Sequence, residues 1–199
     1  PAGTLVWARV QTAGRGRQGR NWFSPAGNFY ASLILRPALP VATAAQLGFV
    51  AAIAVADACL ALAPEAAISL KWPNDVLLSG RKLAGLLLES QSRGDGMLDW
   101  LVLGIGINLA TYPTDIEYPA TALAATGADA TAEAMLSALA ASFLVWYEGW
   151  RDGAGFATIR AEWLARAQGL NQPIRVRLPG ETRDGVFAGL DIDGALLLG

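Results

Sequence analysis

The sequence contains no histidine. That absence excludes a serine-histidine-aspartate triad, a cysteine-histidine pair and the common histidine-ligated zinc sites within this chain. A single cysteine, Cys59, excludes an internal disulfide, and its place in an alanine-rich apolar run reads as a core thiol in a reducing, cytoplasmic setting. Acid is scarce at one end. No carboxylate occurs before Asp57, while Arg9, Arg15, Arg17, Arg20 and Arg36 all fall in that stretch. A formal net charge of -2 and a pI near 5.1 speak against a whole surface built for nucleic acid, so the basic end marks a local meeting place for an anion.

What is there suffices for one substantial core and a small annex: 199 residues, of which 53% are hydrophobic. The chain opens on Pro1 and runs at once into a strand-like Leu5 to Gln11, which reads as a start from which upstream residues are missing and leaves targeting signals unreadable. Val41 to Ala63 is apolar enough to raise a membrane span. Asp57 would be costly in lipid and alanine contributes little to insertion, so a buried helix bracketed by Pro40 and Pro64 is expected, with no membrane partner.

After Leu5 to Gln11 the pattern predicts a glycine-rich loop, Thr12 to Gly27, a strand, Asn28 to Arg36, and the long helix. Short strands then cover Ile68 to Trp72, Val76 to Leu78, Lys82 to Ser90 and Trp100 to Leu109, with turns at Pro73-Asn74-Asp75 and Ser79-Gly80. Two amphipathic helices follow. The first carries Leu136, Leu139, Phe143, Trp146 and Trp150 behind a Thr131 N-cap, and the second carries Phe156, Ile159, Trp163 and Leu164. Strands at Pro173 to Leu178 and Gly185 to Leu190, with turns at Pro179-Gly180 and Asp193-Gly194, form a small β module. The expected class is α+β, a mixed or antiparallel sheet with helices on one face.

Four segments carry chemistry. Gly14-Arg15-Gly16-Arg17-Gln18-Gly19-Arg20-Asn21-Trp22 combines free backbone with forked donors suited to phosphate or carboxylate; a basic surface loop that touches RNA has the same composition. In Trp100 to Leu109 the odd positions are apolar, and the even face carries Gly104, Gly106 and Asn108. Paired glycines in a strand mean that a ligand, or a neighbouring backbone or helix, lies directly on the sheet. Lys71-Trp72-Pro73-Asn74-Asp75 and Arg81-Lys82-Leu83-Ala84-Gly85 place cations, an amide and a carboxylate at element ends. Arg15, Arg17, Lys82 and Lys71 then form a positive set in an acidic protein, fit for nucleotidyl transfer to a carboxylate.

These four segments, in this order and spacing, resemble the biotin protein ligases. The resemblance extends over nearly the whole chain, because Leu170-Asn171-Gln172-Pro173 and Gly194-Ala195-Leu196-Leu197-Leu198 are similar to that family's C-terminal SH3-like module. It implies a catalytic domain at 1–168 with the synthetase-like fold of biotin and lipoate ligases, and an SH3-like module at 169–199. It implies a two-step reaction, adenylation of biotin by ATP with Mg²⁺ and transfer to a lysine of a biotin carboxyl carrier protein.

By that resemblance Arg17 and Lys82 are catalytic. Gln11, Gly14, Arg15, Lys82, Gly85, Leu87 and Gly104 bind biotin, while Arg17, Arg20, Trp22, Lys71, Asn74, Asp75 and Asn108 bind ATP or the adenylate, with Asp75 as metal ligand. The family's pairing through sheet edges leaves a homodimer open. Two departures are seen: the Ser/Thr-Asn motif that members carry upstream of the first strand is absent, which implies weaker binding, and so is the DNA-reading helix-turn-helix of some members. Lipoate ligases and octanoyl transferases share the fold but use a glycine-rich segment with a histidine, which this sequence lacks.

Overall fold

A computed structural model describes residues 2–114, 118–178 and 180–199, so that Pro1, and Pro179 of the expected Pro179-Gly180 turn, lie outside the described residues. Strands β1 (Thr4–Ala8), β2 (Phe29–Leu35), β3 (Ile68–Lys71), β4 (Asp75–Leu78), β5 (Arg81–Ser92) and β6 (Leu98–Ile107) form one sheet in the order β1-β2-β6-β5-β4-β3. Every pairing in it is antiparallel. The alternation expected in β6 holds: Leu101, Leu103, Ile105 and Ile107 are buried on one face. Gly104 pairs with Ser32 and Leu87, and Gly106 with Tyr30 and Gly85, so the two glycines share the opposite face with positions on three strands.

The apolar face is covered by α1 (Val41–Ala44), α2 (Leu47–Leu62), α3 (Ala132–Trp150) and α4 (Phe156–Ala165). The single long helix expected from Val41 is thus two helices, separated at Ala45-Gln46. Val41–Leu62 is long and apolar enough to cross a membrane by composition alone. Its polar interruptions explain why it lies in a core instead. The Trp150 indole donates to Gln46 Oε1 at 2.8 Å, and the Trp146 indole donates to Asp57 Oδ2 at 2.7 Å, while Arg166 lies 3.1 Å from Asp57 Oδ1. With these donors, the Gln46 and Asp57 side chains can pack against α3 and α4 without the cost of an unpaired amide or carboxylate. Thr131 caps α3 as expected, its hydroxyl accepting from the Ala134 amide at 3.1 Å.

Strands β7 (Pro173–Leu178), β8 (Glu181–Leu190) and β9 (Leu196–Leu198) make a second, three-stranded sheet. It docks where Gly194 meets Phe49 and Phe156, and the Trp72 indole donates to the Gly194 carbonyl at 3.3 Å. β8 begins at Glu181, four residues before the expected Gly185. Its polar start is held by a bidentate pair, Arg175 to Asp184 at 2.7 and 3.0 Å.

Candidate active site

The helix-free face of the large sheet is the floor of a cleft of about 1660 Å³, walled by the β1–β2 loop on one side and by β7 on the other. All the expected site residues except Asn108 line it, and Asn108 borders a small adjoining pocket of about 30 Å³ shared with Trp22, Phe23 and Lys82.

The β1–β2 loop is folded on itself. Trp22 N donates to Gly14 O at 2.9 Å and Gly16 N to Arg20 O at 2.7 Å, with Gln18 and Gly19 at positive φ at the tip. Gly14 must be glycine here, because a Cβ would stand 2.5 Å from Ser24 Oγ and from the Trp22 carbonyl oxygen. Of the three arginines, Arg15 pairs with Glu89 at 3.1 Å. Arg17 and Arg20 are exposed and form no ion pair among the described residues, which leaves their forks free for an incoming anion.

Lys82, one of the positive set read from sequence, is ion-paired. Its Nζ lies 2.6 Å from Asp75 Oδ1, with the two side chains 27% and 19% exposed. An ammonium carries three donors, so this ion pair leaves Lys82 protons that a ligand in the cleft can accept. Lys71 lies apart from this pair, over the ring of Tyr118 at 4.9 Å, where Arg177 of β7 donates to the Tyr118 hydroxyl at 2.5 Å. Asn74 is partly spent on structure: its Nδ2 donates to Leu86 O at 2.6 Å, pinning the β3–β4 turn to β5.

The floor is divided by the Trp22 indole. A Cβ on Gly106 would meet Trp22 Nε1 at 2.5 Å, and one on Gly85 would meet Trp22 Cζ3 at 3.0 Å, so the ring lies flat on this glycine pair. A Cβ on Gly104 would touch only Leu87, at 3.5 Å or more, so that stretch of floor is bare. On the far side of Trp22, Asn108 is 2% exposed; its Nδ2 donates to Thr121 O at 3.0 Å while its Oδ1 has no partner. A buried acceptor without a donor is costly, and it sits beside a pocket. Lys82, with Nζ 5.4 Å from the Trp22 ring centroid, lines both compartments.

Sequence reasoning missed Ser24, Glu89 and Tyr118. Glu89 was findable, since Gly85, Leu87 and Glu89 share a strand face. Tyr118 was not, because its place depends on the course of the loop after β6. For a metal ion the donors are sparse: no group of three or more acidic, cysteine or histidine residues occurs among the described residues, and both acids lining the cleft, Asp75 and Glu89, are ion-paired.

Comparison with known proteins fits this geometry. Residues 21–165 match the model of the biotin/lipoate A/B protein ligase family. The chain belongs to that family. It is 46% identical to the biotin–[acetyl-CoA-carboxylase] ligase of Paracoccus denitrificans, with 97% of this chain and 82% of that protein covered. It is 37% identical to the bifunctional ligase/repressor BirA of Bacillus subtilis, of which it spans 62%. A solved biotin protein ligase from Aquifex aeolicus, in complex with biotin and ATP, superposes with a TM-score of 0.85 at 30% identity, covering all of this chain and 82% of that one. Biotin protein ligases are thus similar to this chain in sequence and in fold.

Proposed function

We propose that this chain activates biotin with ATP and transfers the biotinyl group to a lysine of a biotin carboxyl carrier protein, with 1–168 as catalytic domain and 169–199 as an SH3-like module. The observation that carries the reading is the divided floor: bare Gly104 on one side of Trp22, the unpartnered Asn108 oxygen on the other, and Lys82 reaching both. Biotin then lies on Gly104 and Leu87, bounded by Gln11, Gly14, Arg15 and Gly85, with its carboxylate at Lys82. An exocyclic amine of the adenine supplies the donor that Asn108 lacks, and Trp22 separates the two ligands.

In the first step the biotin carboxylate attacks the α-phosphorus and the bond to pyrophosphate breaks. Lys82 and Arg17 stabilise the charge on the α-phosphoryl oxygens, while Arg20, Lys71 and the Asn74-Asp75 turn face the nucleotide. In the second, the carrier amine attacks the acyl carbon and AMP leaves. Mg²⁺ would arrive as the metal of ATP and spread the phosphate charge, with Asp75 the residue that would contact it. The single buried Cys59 agrees with a cytoplasmic site of action. A homodimer through edge strand β1 belongs to the same reading.

The test is ATP–pyrophosphate exchange with biotin, with lipoate and with no acid. Exchange with biotin alone is expected. Exchange with lipoate alone would transfer the chain to the other branch of its family, and exchange with neither would overturn the reading.

A further inference from the structure

Gln11 lines the cleft, but an amide has one face that donates and one that accepts, and recognition depends on which face the ligand meets. Ser24, 7% exposed, determines this. Its hydroxyl donates to Gln11 Oε1 at 2.7 Å and has a longer alternative acceptor, the Trp22 carbonyl, at 3.1 Å. The Gln11 backbone N–H donates to the Ser24 backbone carbonyl at 3.3 Å, so the two residues are also tied through the main chain. Gly14 closes the other side of this contact, since a Cβ there would lie 2.5 Å from Ser24 Oγ and 3.0 Å from Gln11 Oε1.

We propose that Ser24 is a positioning residue that sets the polarity of the acid site: by engaging Gln11 Oε1 it turns the Gln11 NH₂ group to the cleft, selecting an acid whose ring offers an acceptor oxygen. This rests on the biotin reading above, where the acceptor is the ureido oxygen. Without the hydroxyl the amide can rotate by half a turn, and the site loses its preference for an acceptor. Were the hydroxyl to donate to Trp22 O instead, Gln11 would present its oxygen and the preference would be reversed.

The experiment compares biotin with 2-iminobiotin, in which the ureido oxygen is replaced by a nitrogen that is protonated at neutral pH and only donates. Exchange kinetics give KM for each acid and for ATP. In Ser24→Ala the KM for biotin is expected to rise about 3- to 10-fold, the loss of one neutral hydrogen bond, with a smaller change in kcat and no change in KM for ATP. The preference for biotin over 2-iminobiotin should narrow, and Ser24→Thr should restore it. An unchanged preference in Ser24→Ala, or an equal rise in KM for ATP, would reduce Ser24 to a structural role. Should Ser24→Ala fail to fold, Gln11→Glu, which only accepts, must shift preference towards 2-iminobiotin; no shift overturns the proposal. Absence of exchange with biotin in the wild type sinks the functional reading itself, whereas normal wild-type exchange with unaltered variant preference sinks this inference alone.

Discussion

The Trp22 indole lies on Gly106 so closely that a methyl group on that glycine would stand 2.5 Å from Trp22 Nε1. No side chain can occupy Gly106 without displacing the ring, whereas a Cβ on Gly104, one pleat away, would have only ordinary contact with Leu87, its neighbour across the sheet. Gly106→Ala should therefore dislodge Trp22 and impair both compartments, raising KM for biotin and for ATP together. Gly104→Val should fill the bare floor and raise KM for biotin alone. Steady-state kinetics with each ligand varied in turn separates the two outcomes. A Gly106→Ala enzyme with wild-type constants would mean that the Trp22 wall is dispensable.

Lys82 and Arg17 differ in what they do for the fold. Lys82 neutralises the largely buried Asp75, while Arg17 is exposed and forms no ion pair among the described residues. Each is expected to supply a charge-assisted contact of about 1.5 to 3 kcal/mol to the adenylation step, so either alanine variant should slow exchange roughly 10- to 100-fold. Lys82→Ala should also lower Tm, because it leaves the Asp75 carboxylate without its counterion, and Asp75→Asn in the same chain should recover that stability without recovering turnover. Arg17→Ala should melt as wild type does. Unchanged exchange in both variants would remove the roles assigned to them.

Acid should loosen the small sheet through Asp191. Its carboxylate accepts from the amides of Ala195 and Asp193, each at 2.9 Å or less, and these bonds, with that of Ala195 first, hold its pKa below the ordinary aspartate value. A depressed folded pKa contributes stability above the unfolded value of about 3.9, lost as pH falls through the folded one. Amide exchange in the turn at 191–195 should therefore speed up below about pH 4, relative to that in α2, and Asp191→Asn should remove the pH dependence.

The motif-bearing segments were legible because each lies within one element or one turn, where spacing fixes which face a side chain takes. Gly104, Gly106 and Asn108 declare their face by alternation, and Thr131 declares the start of α3. The rest depended on contacts between distant segments. Nothing in Thr12 to Gly27 reveals that Trp22 returns to lie on two strands, or that Ser24 holds Gln11, since both follow from how the loop closes on itself. The break at Ala45-Gln46 has no glycine or proline to announce it, and the contact that Gln46 makes there, accepting from the Trp150 indole, comes from a distant helix. The pairing of Lys82 with Asp75 is not legible either, because it joins two neighbouring strands.

The most direct test of the account is mass spectrometry of an apo biotin carboxyl carrier domain incubated with this protein, biotin and Mg-ATP. The account predicts addition of one biotinyl group to a single carrier lysine, dependent on ATP and greatly slowed by Lys82→Ala. A carrier that stays unmodified while the protein is folded and binds biotin, or that gains a lipoyl group in preference when both acids are supplied, would contradict it.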